Sequence, residues 1–105
     1  IGPGATNAIT GIAQAYVDSS PLFILSGQAN SRLLKYAKET GIRQQGCQSI
    51  NLGPMVKPIT KYFAEVMEPD DIPQIMEDAY YAAMEGRKGP VWIDVPVDIQ
   101  NRQVS

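Results

Sequence analysis

Pro21-Leu22-Phe23-Ile24-Leu25-Ser26-Gly27 decides the fold: four apolar residues in a row, opened by a proline and closed by a serine-glycine pair. No polar residue alternates through the run, so it reads as a short strand covered on both faces, the pattern of a central parallel strand. Val91-Trp92-Ile93-Asp94-Val95, after the turn Gly89-Pro90, reads as the last strand. A shorter strand is expected around 61–66, after Met55-Val56-Lys57-Pro58, which reads as a short helix or turn.

Helical patterns fill the spaces between. Ala8, Ile9, Ile12, Ala13, Ala15, Tyr16 and Val17 give about three apolar turns, stopped by Asp18-Ser19-Ser20-Pro21. Thr6 or Asn7 is placed to cap that helix. A weaker helix runs from Asn30 to Thr40, with Leu33, Leu34 and Ala37 as its apolar patch and Gly41 as its stop. The clearest helix follows Pro69. Asp70 or Asp71 is placed to cap it, Pro73 fits its first turn, and Ile72, Ile75, Met76, Ala79, Tyr80, Ala83 and Met84 recur at helical spacing. Gly86 ends it, with Arg87 and Lys88 near its negative end. Tyr80 and Met84 are expected on the sheet, and Tyr81 at an interface. The alternation of strands and helices predicts an α/β fold, a parallel sheet with flanking helices.

Two or three strands make a small sheet for this class. The chain has 105 residues, 44% of them hydrophobic and 19% charged, which is the composition of one globular domain. The formal net charge of -2 builds no basic surface, so nucleic acid is not an expected partner. No apolar run is long enough to span a bilayer, and a membrane is not expected either. One cysteine leaves no intramolecular disulfide and favours a reducing compartment. With no histidine, the chain holds neither histidine-based metal sites nor Ser-His or Cys-His machinery, and no metal ligand is expected in it. The chain opens on Ile1-Gly2-Pro3-Gly4-Ala5-Thr6-Asn7. A Gly-Pro-Gly turn of this kind ordinarily follows a strand and brings backbone close to a ligand or a neighbouring strand. No strand precedes it here, so the sequence reads as the back half of a domain.

The ordered series Gly2-Pro3-Gly4-Ala5-Thr6-Asn7, Ala13-Gln14-Ala15-Tyr16-Val17-Asp18-Ser19, Ser20-Pro21 with the strand to Gln28, Gln48, Lys57-Pro58-Ile59-Thr60-Lys61, Gly86-Arg87, Gly89 to Pro96 and Asp98-Ile99-Gln100 resembles a known family. It is similar to the pyrimidine-binding (PYR) domain of thiamine diphosphate-dependent enzymes of the acetolactate synthase group. The resemblance implies that residues 1–100 are the C-terminal part of a PYR domain, three-layered α/β/α in the parent, and that 101–105 begin an interdomain linker.

The resemblance also implies a function: a fragment of a 2-keto acid carboligase or decarboxylase that contributes the pyrimidine side of the cofactor site. It implies thiamine diphosphate and Mg2+ in the parent enzyme and leaves room for FAD. It implies a homo-oligomer in which the diphosphate-binding domain of another subunit completes the site, a small 2-keto acid or acyl substrate, and a cytoplasmic location. The family's activating glutamate belongs to sequence before Ile1, and its diphosphate and magnesium to a domain after Ser105. The chain alone is therefore expected neither to bind the cofactor nor to catalyse. Two alternatives stand beside this reading: a non-catalytic α/β interaction domain derived from the family, and an acyl-CoA or sugar-modifying thiamine diphosphate lyase.

Residue by residue, Gly2, Pro3 and Gly4 match the family's turn near the pyrimidine ring, against the alternative of a tight strand-to-helix turn. Asn7 either points toward the cavity or caps the helix. Gln48 matches a cleft glutamine that orients a substrate carboxylate or carbonyl without adding charge; a surface loop is its alternative. The family commonly has Phe-Gln-Glu at this place, where this chain has Cys47-Gln48-Ser49. That substitution removes an aromatic wall and a carboxylate. Cys47 reads as a quiet thiol, with a reactive one as its alternative. Lys57 and Lys61 read as a solvated face, with contact to an anionic substrate as the alternative, and the resemblance implies that a lysine of this stretch lies near the cleft or the interface. Asp94 and Asp98 read as strand-end and linker contacts rather than a carboxylate pair.

Overall fold

The computed structural model describes residues 2–41, 43 and 50–104. A 3₁₀ run, Gly2–Ala8, leads into α1 (Ile9–Val17), then β1 (Leu22–Gln28), α2 (Ser31–Thr40) and α3 (Gly53–Val56). A further 3₁₀ turn, Lys57–Ile59, precedes β2 (Tyr62–Glu65). The turn Pro69–Asp71 precedes α4 (Ile72–Met84), followed by β3 (Pro90–Pro96) and α5 (Val97–Gln100). The strands form a parallel sheet in the order β1-β3-β2, so among the described strands β3 is central and β1, which reads as central and covered on both faces, stands at an edge with Leu22 and Leu25 exposed. β3 pairs Leu22↔Pro90 through Gln28↔Pro96 on one side and Tyr62↔Val91 through Glu65↔Asp94 on the other.

Alternation along β3 builds two cores. Val91 and Ile93 face α4 and α5, where they pack with Val66, Ala79, Ala83 and Ile99. Trp92 faces the other way, into Ile12 of α1 and Leu52 and Val56 beside and within α3. Helices therefore cover both faces of the central strand, which is why β3 carries almost no exposed side chain.

Several local expectations change. The Gly-Pro-Gly opening is a 3₁₀ run rather than a strained turn, and neither Thr6 nor Asn7 caps α1. Ala8 holds the N-cap position, and the Thr6 hydroxyl instead donates to Pro3 O at 2.7 Å. Asp71 stands at the N-cap of α4 without a side-chain capping bond. That helix meets the sheet through Ile72, Ile75, Ala79 and Ala83, a narrower stripe than the sequence suggests. Tyr80 is 55% exposed and Met84 38%, so neither is core. The alanines let the backbone lie close to the sheet, and the larger neighbours turn out to the sides. Tyr81 is exposed as well, edge-to-face with Tyr80.

Arg87 serves α1 rather than α4. Its Nε donates to Ser19 Oγ at 2.5 Å and its Nη2 to Val17 O at 3.2 Å, a cation on the carbonyl end of α1. Ser19 itself adopts the left-handed region at φ 58°, turning the chain toward β1. Gly41 closes α2 at φ 72°, as its residue type allows.

The other end of α2 is held from outside the helix. Asn30 accepts from Arg32 N at 2.9 Å, and Asp98 of α5 accepts from Ser31 N at 2.9 Å and Ser31 Oγ at 2.6 Å. Desolvation works to raise the Asp98 pKa, but the bonds from Ser31 and the backbone outweigh it, and the net shift is downward. A depressed carboxylate stabilises the fold above the ordinary Asp pKa and loses that contribution as pH falls through its folded value. Asp98→Ala is expected to cost about 1 kcal/mol at neutral pH, and the deficit should shrink in acid. Urea midpoints for the two proteins across the acid range measure it; a deficit that grows on acidification contradicts this assignment.

Candidate functional site

The site grows from the carboxyl end of β1. Leu25, Ser26 and Gly27 run alongside the 3₁₀ opening, and the two segments border an open groove of about 480 Å³. Gly4, Ala5, Asn7 and Ala8 form one wall and Ile24 to Gly27 the other, with Trp92 buried beneath. Gly4 matters because of what it lacks. Among the described residues, a Cβ built on it meets no atom within 4 Å beyond its own stretch of chain, so the space beside its backbone is open among them. Of the residues singled out from the sequence, Gly4 and Asn7 line this groove; Gly2 and Pro3 lie in the same 3₁₀ run, with Pro3 O accepting from Thr6. Gln48 and Cys47 lie outside the described residues.

Beneath the groove lies a polar network that sequence reasoning missed. Ser26 sits opposite Asp94 across the β1–β3 ladder. Trp92 Nε1 donates to Ser26 Oγ at 2.7 Å, and Ser26 Oγ donates in turn to Asp94 Oδ1 at 2.6 Å. Gln28 Nε2 donates at 3.1 Å both to Asp94 Oδ2 and to Ile50 O, while Gln28 Oε1 accepts from Ala29 N at 3.1 Å. Gln28 and Asp94 are fully buried. Burial pushes the Asp94 pKa up; the hydrogen bonds from Ser26 and Gln28 oppose the rise, and the charge of Glu65 adds to it.

Asp94 is thus neither a strand-end cap nor half of a carboxylate pair with Asp98, since the two bind separate partners. The signal was available: Ser26-Gly27-Gln28 ends one apolar run in polar residues, and Asp94 interrupts the other. What was missing was the register that puts them face to face.

Neither candidate lysine reaches the groove. Lys61 donates to Glu85 O, and its stem packs over Gly89. Lys57 is exposed beside α3. Glu65 pairs with Lys38 at 2.6 Å. Among the described residues, no cluster of three His, Cys, Asp or Glu side chains is placed to hold a metal, and no helix is long and apolar enough to cross a membrane.

Comparison with known proteins gives one family match and a consistent set of relatives. The family described as "Thiamine pyrophosphate enzyme, N-terminal TPP binding domain" matches residues 1–52. An acetolactate synthase large subunit from Lactococcus lactis subsp. lactis is 43% identical over 104 residues, which is 99% of this chain and 17% of that protein. Acetolactate synthase isozyme 3 large subunit from Escherichia coli is 45% identical over 100 residues, 95% of this chain and 16% of that protein. A probable acetolactate synthase large subunit from Methanocaldococcus jannaschii is 41% identical over 103 residues, 98% and 16%. The chain therefore spans about a sixth of the length of these relatives.

Proposed function

Because this chain belongs to the thiamine pyrophosphate enzyme family, we propose that it forms the pyrimidine-side wall of the cofactor site in an acetolactate synthase-like enzyme acting on 2-keto acids. One observation carries the reading: Gly4 and Asn7 line an open groove in which, among the described residues, no atom fills the space a side chain at Gly4 would take.

The donor set fits a flat, mostly apolar ring with a few polar edges. The walls offer Ala5, Ala8, Ile24 and Leu25, with the Trp92 indole buried beneath them. Asn7 brings an amide that both donates and accepts. The Gly4 backbone admits a ring edge at close range, and the apolar residues exclude water from its faces. When bound, thiamine diphosphate supplies the carbanion chemistry at the substrate carbonyl, and protein groups supply orientation and electrostatics. In this reading Gln48 orients the substrate, while Mg2+ and the diphosphate are held by the diphosphate-binding domain of another subunit of a homo-oligomer. FAD and a cytoplasmic location belong to the same proposal.

Gly4→Leu in the intact protein tests the wall. The side chain enters space the chain itself leaves open, so the apo protein should keep its thermal midpoint. Thiamine diphosphate affinity in the presence of Mg2+, read by titration calorimetry, should fall about tenfold or more, the equivalent of an overpacking cost of about 1–3 kcal/mol. Unchanged affinity in a folded variant removes Gly4 from the site.

A further inference from the structure

Among the described residues, Ser26 carries the only hydroxyl that lines the groove. The register sets Ile24 beside Trp92 and Ser26 beside Asp94. Alternation along each strand puts all four side chains on the face of the sheet that meets Ala5 and Ala8 of the 3₁₀ opening. Ser26 is half-buried there, and Asp94 beside it is fully buried.

The direction of each hydrogen bond follows from what the partner is able to do. An indole Nε1–H only donates, so the 2.7 Å contact with Trp92 takes one lone pair of Ser26 Oγ. An ionised carboxylate only accepts, so the 2.6 Å contact with Asp94 Oδ1 takes the Ser26 proton. A hydroxyl has one proton and two lone pairs. Among the described residues no donor takes the second lone pair, which is what remains for a molecule in the groove. Gln28 keeps the arrangement from turning over: its Oε1 accepts from Ala29 N, so its Nε2 meets Asp94 Oδ2 as a donor.

We propose that Ser26 is a specificity-determining residue: held between Asp94 and Trp92, its hydroxyl offers the groove an acceptor and no donor, and so selects a flat ring that turns an N–H toward it. The apolar walls take any flat ring by its faces, and Ser26 reads one edge. Asn7, whose amide both donates and accepts, makes no such choice. That the ring belongs to thiamine diphosphate rests on the function proposed above; the polarity of Ser26 does not.

The test compares 2-aminopyrimidine with 2-methylpyrimidine in the apo form of the intact protein. Both are flat, uncharged at neutral pH and nearly equal in size, and only the first carries an N–H. Ligand-observed NMR titration should show the amino ring binding about fivefold tighter, the worth of one hydrogen bond. Gly4→Leu should weaken both rings about tenfold or more, which places them in the groove. Asp94→Asn keeps the shape and reverses the bond. Gln28 Nε2 still requires an acceptor, so the new amide turns its oxygen to Gln28 and its N–H to Ser26. Ser26 then accepts twice, its own proton swings to the groove, and the preference for the amino ring should fall to about one or below.

Equal affinities in the wild-type protein, a preference for the methyl ring, or affinities untouched by Gly4→Leu overturn the proposal. A preference for the methyl ring is what a protonated Asp94, donating to Ser26, would give. A fivefold preference that survives Asp94→Asn overturns the part played by Asp94. Ser26→Ala covers the case in which the asparagine variant does not fold, and wild-type discrimination in it removes Ser26 from the site. The wild-type comparison decides even if neither variant folds. If the intact protein binds no thiamine diphosphate yet discriminates between the rings, the proposed function fails and the polarity of Ser26 stands.

Discussion

Trp92→Ala should lower the unfolding free energy by about 3–5 kcal/mol, the loss expected for a large aromatic side chain removed from a packed core. Trp92 is fully buried on the central strand and fills the space between β3, α1 and α3. No other side chain of its core cluster is as large, and Ile12, Leu52 and Val56 converge on it from two helices and a turn. A loss of this size is a large share of the 5–15 kcal/mol that holds a typical domain together. The indole N–H adds a second contribution, because its bond to Ser26 helps orient the hydroxyl that serves Asp94. Trp92→Phe keeps most of the packing and drops that bond, so a smaller loss of about 1–2 kcal/mol is expected. Trp92 is the only tryptophan, so urea unfolding must be followed by far-UV circular dichroism rather than indole fluorescence. A cost below about 1 kcal/mol for the alanine variant would contradict the packing described.

Asp94→Ala should cost about 2 kcal/mol at neutral pH, set by two opposing effects. Removing the carboxylate strips Ser26 Oγ and Gln28 Nε2 of a buried acceptor. It also removes a charge that burial disfavours, and that relief offsets part of the loss. The pH dependence separates the two effects. The Asp94 pKa is raised on folding, chiefly by desolvation. The native state therefore binds the proton more tightly than the unfolded chain. Its contribution is fully present below the ordinary Asp pKa and declines as pH rises through the folded value. The alanine variant has no such decline, so the gap between the two proteins should be wider in acid than at neutrality. This is the reverse of the trend expected at Asp98, whose pKa moves down. Parallel denaturation series at several pH values measure both. A gap that widens with rising pH would mean that the Asp94 carboxylate is stabilised, not strained, by its surroundings.

What the sequence made legible follows from where physics is local. The existence of β1 and β3, the Gly41 stop and the alternation of strands with helices each depend on residues close in the chain, and each is found in the structure; the central place went to β3 rather than β1, because strand order is set by distant pairing. What it hid depends on distant partners. Arg87 lies near the end of α4 in sequence, yet its guanidinium goes to Val17 and Ser19, about seventy positions away. Tyr80 and Met84 satisfy helical periodicity, but the contact stripe of α4 is set by how closely Ala79 and Ala83 let it approach. The groove was half visible. Gly4 and Asn7 stood out by resemblance, whereas Ser26, Gln28 and Asp94 acquire meaning only once Ser26 is known to face Asp94.

The order β1-β3-β2 also sets how much chain each ladder must gather. Pairing β3 with β2 closes the segment from Glu65 to Asp94, whereas pairing it with β1 closes the much longer one from Ser26 to Asp94, a separation of 68 residues. By the logarithmic dependence of closure entropy on loop length, the β1 side costs about 0.8 kcal/mol more. The groove and the Ser26–Asp94–Gln28 network both lie on that side. Their geometry thus depends on the most entropically demanding closure in the sheet, and the hydrogen bonds of Asp94 with Ser26 and Gln28 across it offset that cost where the candidate site needs a fixed shape.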